Sequence, residues 1–206
     1  MKARICSRRC SSSDSENRRS IITHLYRLLV LIASPSSKKS GRVYNQHGSL
    51  RRRSSSGRHE RHKDLRSTAD AQGTDLEERD ILLIRTGAVA RLQDPGAEWD
   101  PLNEPGLRFS EELVWWLYEM DIPMIGPDNL AVEKVNQEID GTEYVIPLHG
   151  VTLRDLGVYL NEILWLDDLA ASCATDGIYE VLYTAAPLHM ERATGAPINS
   201  LVLKAH

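Results

Sequence analysis

The sequence predicts an α/β domain over residues 68–206 with a basic segment ahead of it, and three observations lead there. From Asp80 onward, short apolar runs alternate with amphipathic stretches, as in folds that layer helices on a sheet. Residues 1–67 hold 17 Lys and Arg against 4 Asp and Glu, a net +13, whereas the remainder holds 8 against 25, a net −17, so the two parts do not share one mixed surface. No run of 18 apolar residues occurs: the greasiest stretch, IITHLYRLLVLIA at 21–33, carries His24 and Arg27, so no membrane-spanning helix is predicted.

Of the 18 serines, 15 lie before residue 68, and outside 21–33 that segment is built of pieces such as SRRCSSSDSENRRS and LRRRSSSGRHERHK. Such pieces have too few apolar side chains to offset the entropy of ordering, and residues 1–67 are read as mostly disordered. Three functional readings stand beside a nonfunctional or mistranslated extension: an Arg-rich, acid-poor organelle transit segment, a nucleic-acid contact, and a nuclear address at 51–63. The cysteines, Cys6, Cys10 and Cys173, form no even disulfide framework, so a reducing, cytoplasmic setting is expected, with organelle targeting as the alternative. Cys6 and Cys10 with His24 lack a fourth ligand at zinc-finger spacing and read as free thiols in a tail.

The elements of residues 68–206 follow in order. DILLIRTG at 80–87 is an apolar run closed by Thr86-Gly87, a buried strand and a turn. Ser110 stands at an N-cap position, Glu111 and Glu112 favour the positive end of a helix dipole, and Leu113, Trp116, Leu117 and Met120 repeat at helical spacing. Trp116 on that stripe is read as core. A second strand at 121–125 delivers Gly126-Pro127-Asp128-Asn129 to a turn, and a helix at 150–156 ends on Gly157, suited to a left-handed cap. An apolar segment at 158–160, a helix at 167–173, and strands at 179–184 and 200–203 complete the domain. With the first readable strand at residue 80, the domain is expected to be incomplete on its N-terminal side.

Polar groups at the ends of apolar strands are the candidates for chemistry, because α/β folds build sites there. Asp128 follows Met124-Ile125, His149 follows Val145-Ile146-Pro147-Leu148, and Glu162 follows Val158-Tyr159-Leu160. Asp, His and Glu suit a hard or borderline cation. Each also has an ordinary explanation: a turn former for Asp128, a capping or core histidine for His149, a solvated charge for Glu162. No Gly-x-Gly-x-x-Gly, Walker loop, His-Glu-x-x-His or Gly-x-Ser-x-Gly occurs, which weakens kinase, zincin and serine hydrolase readings.

ILLIRTG (81–87), PGLRFSEELVWWL (105–117), IPMIGPDNLAVE (122–133), PLHGVTLRDLGVYLNEILWLDDLA (147–170), DGIYEVLYTAAPL (176–188) and ATGAPINSLVL (193–203) together resemble the cyclase family of metal-dependent hydrolases. That family includes bacterial kynurenine formamidases and isatin hydrolases, and the six blocks stand in its order over about residues 70–206. The resemblance implies a kynurenine formamidase-type β/α domain, a homodimer or higher oligomer, and a zinc or manganese ion that serves hydrolysis of an amide, formamide or lactam C–N bond, arylformamidase-like as in tryptophan catabolism. It implies that His149 and Glu162, 13 residues apart, belong to the active site as catalytic and metal-binding groups, with Asp128 beside them. Asp128-Asn129 matches a family Ser-Asp-Asn or Ser-Asp-Thr turn, with Pro127 in the serine place.

The sequence departs from the family at its main metal motif, His-x-Gly-Thr-His-x-Asp, which residues 1–79 do not reproduce. His59-Glu60-Arg61-His62-Lys63-Asp64 has another spacing and lies in a basic run, while Gly41-Arg42-Val43-Tyr44-Asn45 faintly resembles a stretch that follows the motif. Weak metal retention and impaired hydrolysis of a small-molecule amide are therefore expected. The alternative is a noncatalytic binding or scaffold protein whose basic segment contacts RNA or an anionic surface; otherwise nucleic acid is not an expected partner.

Overall fold

A computed structural model describes residues 27–32, 62–97 and 100–204. Its strands are β1 (Arg27–Ile32), β2 (Ile81–Arg85), β3 (Met124–Pro127), β4 (Asn136–Ile139), β5 (Thr142–Val145), β6 (Tyr159–Leu160), β7 (Glu180–Thr184) and β8 (Leu201–Leu203). Six form one sheet in the order β6-β3-β2-β1-β7-β8, and β4 pairs with β5 as a separate hairpin. β1, β2, β3 and β6 run parallel, while β7 is antiparallel to both β1 and β8, so an antiparallel edge extends a parallel sheet.

The helices are α1 (His62–Gln72), α2 (Ala88–Leu92), α3 (Glu111–Glu119), α4 (Pro147–His149) and α5 (Asp167–Asp176), and a π-helix at Gly150–Leu156 continues from α4. Successive side chains of β2 leave the sheet on opposite faces, and both faces are covered. Leu82 and Ile84 join Leu65 and Ala69 of α1 and Leu113, Trp116 and Leu117 of α3 in one apolar cluster. Ile81 and Leu83 pack on the other face with Leu166 and with Cys173 of α5. The run of apolar residues at 81–84 is thus the mark of a strand buried from both sides, and Trp116, 4% exposed, is core as the helical spacing predicts.

α3 begins as its sequence dictates: Ser110 Oγ accepts a hydrogen bond from the Leu113 N–H at 3.1 Å, and Glu111 and Glu112 occupy the first turn. Gly157 closes the π-helix with φ of 74°. Gly126 permits a close approach, since a Cβ there would lie 2.7 Å from the side chains of Leu83 and Leu164.

The boundary expected after Ser67 falls inside α1, and β1 and α1 stand ahead of the strand read at residue 80. β1 comes from the 21–33 stretch and pairs with β2 and β7, so its backbone is satisfied by neighbours that its basic surroundings do not advertise. Cys6, Cys10, His24, residues 41–45 and residues 51–61 lie outside the described residues. Among the described residues, no helix is long and apolar enough to cross a membrane.

Candidate functional site

His149 sits where α4 passes into the π-helix, a kind of irregularity frequent at functional sites because it re-aims side chains. Its imidazole lies between two carboxylates, with Nδ1 2.9 Å from Glu133 Oε1 and Nε2 3.1 Å from Glu162 Oε1. The Glu133 side chain is fully buried, whereas His149 and Glu162 remain 22% and 33% exposed, so the pair opens to solvent on the Glu162 side. Hydrogen bonds to Glu133 and then Glu162, reinforced by their charges and opposed by burial, raise the His149 pKa from 6.5 to about 9. At neutral pH the ring is an imidazolium that donates from both nitrogens.

Glu133 is the acid that strand-end reasoning missed. It closes the quoted block IPMIGPDNLAVE, and no periodic signal distinguishes it from a solvated charge. Buried, its carboxylate receives four donors: the N–H groups of Leu148 and His149, each at 2.9 Å, the His149 Nδ1–H, and Gln137 Nε2 at 2.8 Å. The filled acceptor sites offset the cost of burying this polar side chain. Gly106 lets the Glu133 backbone approach closely, since a Cβ at Gly106 would stand 2.5 Å from the Glu133 carbonyl carbon.

Backbone strain gathers around these three side chains. Val132, Ile146 and Ile163 have φ of 57°, 42° and 57°, a region that β-branched residues rarely enter. Val132 precedes Glu133, Ile163 follows Glu162, and Ile146 accepts the hydrogen bond of the His149 N–H at 3.2 Å. Such strain persists where surrounding contacts over-determine it, as at functional sites.

Asp128 takes the turn-forming part, the ordinary one of its two readings. Its carboxylate accepts from the Thr86 N–H and hydroxyl and from the Gly87 N–H, each at 2.7 Å, and so ties the turn after β2 to the end of β3. Burial raises its pKa against those hydrogen bonds. The structure therefore brings His149 and Glu162 together and gives Asp128 the turn-forming role. His149 also does not follow a strand directly, because β5 ends at Val145 and Ile146 turns the chain into α4.

Two of the predicted metal donors meet, and Glu133 on Nδ1 matches the carboxylate that commonly orients a ligating histidine. A catalytic divalent ion generally asks for three protein ligands. Among the described residues no group of three His, Cys, Asp or Glu side chains is placed to hold one, so these residues do not by themselves fit the ion.

Comparison with known proteins sets this geometry in context. A family model described as "Putative cyclase" matches residues 33–134, which include Asp128 and Glu133 and stop short of His149 and Glu162. A solved structure titled as the crystal structure of a novel cyclase is similar with a TM-score of 0.66 and 32% sequence identity, over 87% of this chain. This chain spans 54% of the length of that one. No curated protein matches.

Proposed function

We propose that the chain is a cyclase-family hydrolase that cleaves the C–N bond of a small amide, formamide or lactam, arylformamidase-like, with His149 and Glu162 as its catalytic pair. The observation that carries this reading is the imidazolium held between a buried and an open carboxylate.

The residues divide the proton traffic by their environments. Glu162, on the solvent side, takes a proton from an attacking water whose oxygen bonds to the carbonyl carbon. As the C–N bond breaks, the Nε2–H of His149 passes its proton to the departing nitrogen, which would otherwise leave as an unstable amide anion. The proton on Glu162 then crosses to Nε2 over the 3.1 Å contact, restoring the imidazolium. One water is consumed, and an acid and an amine result. Glu133 engages Nδ1 by its hydrogen bond throughout, so the ring reacts only through Nε2.

A bound zinc or manganese ion would supply a more acidic water and a polarised carbonyl. The described residues do not complete a donor set for such an ion, and we propose that it is retained weakly. Homo-oligomer formation belongs to the same proposal, on the family resemblance. The second reading is a noncatalytic binding protein whose basic segment contacts RNA or an anionic surface.

Turnover of N-formylkynurenine and isatin by the full chain, with and without added manganese or zinc, separates the two. Hydrolysis abolished by His149→Ala and by Glu162→Gln supports the hydrolase. Absence of turnover by the unmodified chain at any metal concentration favours the binding protein.

A further inference from the structure

Gln137 is 3% exposed, on β4 of a hairpin whose other strand, β5, is exposed throughout. A buried primary amide must place each of its polar atoms, and Gln137 does so. Its Oε1 accepts from the Phe109 N–H at 2.8 Å, and its Nε2 donates to Glu133 Oε2 at 2.8 Å and to the Lys134 carbonyl at 2.9 Å. This orientation is enforced chemically: turned over, the amide would set an NH₂ against the Phe109 N–H and an oxygen against the Glu133 carboxylate.

Three of the four donors on Glu133 come from the adjoining residues Leu148 and His149 and would move with them. Gln137 is the donor that reaches the carboxylate from a different element, and Phe109, leading into α3, anchors Gln137 in turn. A continuous path of hydrogen bonds thus runs from the start of α3 through Gln137 and Glu133 to His149 and ends on Glu162. Its outer end is fixed to the core by α3, whose Leu113, Trp116 and Leu117 are buried.

We infer that Gln137 is a positioning residue, which fixes the plane of the Glu133 carboxylate and through it the direction in which His149 presents Nε2. It touches no reacting atom, so it acts on the rate through ring orientation and leaves substrate binding unchanged. The kinetic part rests on the hydrolase reading; the orientation part does not.

The test uses the full chain with Gln137→Met, which keeps the length and removes both polar ends, and Gln137→Glu, which keeps an acceptor for the Phe109 N–H and loses the donor to Glu133. The hydrogen-bonded Nδ1 proton of His149 is followed by NMR in ¹⁵N-histidine-labelled protein, beside kcat and KM. Ile122→Val, a small core change with no polar partner lost, is the control. The expected result is a displaced or lost Nδ1 resonance in both Gln137 variants, kcat down about 10- to 100-fold with KM unchanged, and the control like the unmodified chain. An unmoved resonance in folded variants overturns the inference, as does a raised KM at unchanged kcat. Failure of both variants to fold overturns it as well, because it would make Gln137 a structural residue. Should the unmodified chain show no turnover, the hydrolase reading falls and the resonance alone decides the role of Gln137.

Discussion

Raising the pH through about 9 is expected to destabilise the fold by a route that runs through His149. Below pH 6.5 the imidazole is charged in the folded and the unfolded chain alike, and its bonds to Glu133 and Glu162 contribute in full. Between 6.5 and about 9 the folded chain retains a proton that the unfolded chain has released, so stability falls as pH rises. Above that interval the contribution is gone. At about 1.4 kcal/mol per pH unit, the interval amounts to on the order of 3 kcal/mol. Solvent screening takes away a modest part, since the ring is 22% exposed and one partner is fully buried. Urea unfolding of the unmodified chain and of His149→Gln, from pH 6 to 10, measures it. The difference in unfolding free energy should be largest at pH 6, shrink across pH 7 to 9, and level out by pH 10. A difference that stays flat with pH would refute the doubly paired imidazolium.

Three further outcomes are expected. Gly106→Ala drives a Cβ to 2.5 Å from the Glu133 carbonyl carbon, so a loss of about 1–3 kcal/mol in thermal unfolding should accompany a fall in kcat, because the displaced backbone carries the His149 partner. Ile163→Asn replaces a half-exposed β-branched residue at φ of 57° by one that tolerates that region, and should raise stability by about 1 kcal/mol in urea titration. Leu65→Ala, in an α1 residue 2% exposed, should cost about 2–5 kcal/mol by chemical denaturation, a loss that a residue outside the folded domain would not produce.

The legible part of this chain was the part where burial leaves a periodic trace. The strand at 81–85, the helix from Ser110, the turn at Gly157 and the strands of the 176–203 region all declare themselves through apolar spacing or a cap. The hairpin at 136–145 did not, because β5 is exposed along its length and β4 reads NQEI, with no apolar face to repeat. α1 was masked in the same way, since HKDLRSTADAQ contributes only Leu65 and Ala69 to the interior. At the site, His149 and Glu162 were found through family order and do meet. Glu133 and Gln137 were missed because each is a polar residue whose hydrogen bonds include partners far along the chain, Leu148 and His149 for one and Phe109 for the other, and pairing at that range has no local signature. The donors that hold Asp128, Thr86 and Gly87, lie 42 and 41 residues away in sequence and leave no local trace either.

The place of β1 in the sheet has a consequence for how the molecule assembles. It is hydrogen-bonded on one side to β2 and on the other to β7, so residues 27–32 are the seam joining the parallel strands to the antiparallel edge. Leu28 must find Ile81 and also Val181, a partner from near the opposite end of the chain. Pairings so distant in sequence raise contact order and slow folding, because loop closure is met before the contacts reward it. During synthesis, β1 can acquire its β2 neighbour early, yet its other side stays an open strand edge until residue 184 has left the ribosome. For that interval the nascent chain carries an unpaired apolar edge of sequence RLLVLI, the kind of surface on which strands of neighbouring chains add. Yield on expression should therefore depend on elongation rate and chaperone supply more than on the stability of the finished fold.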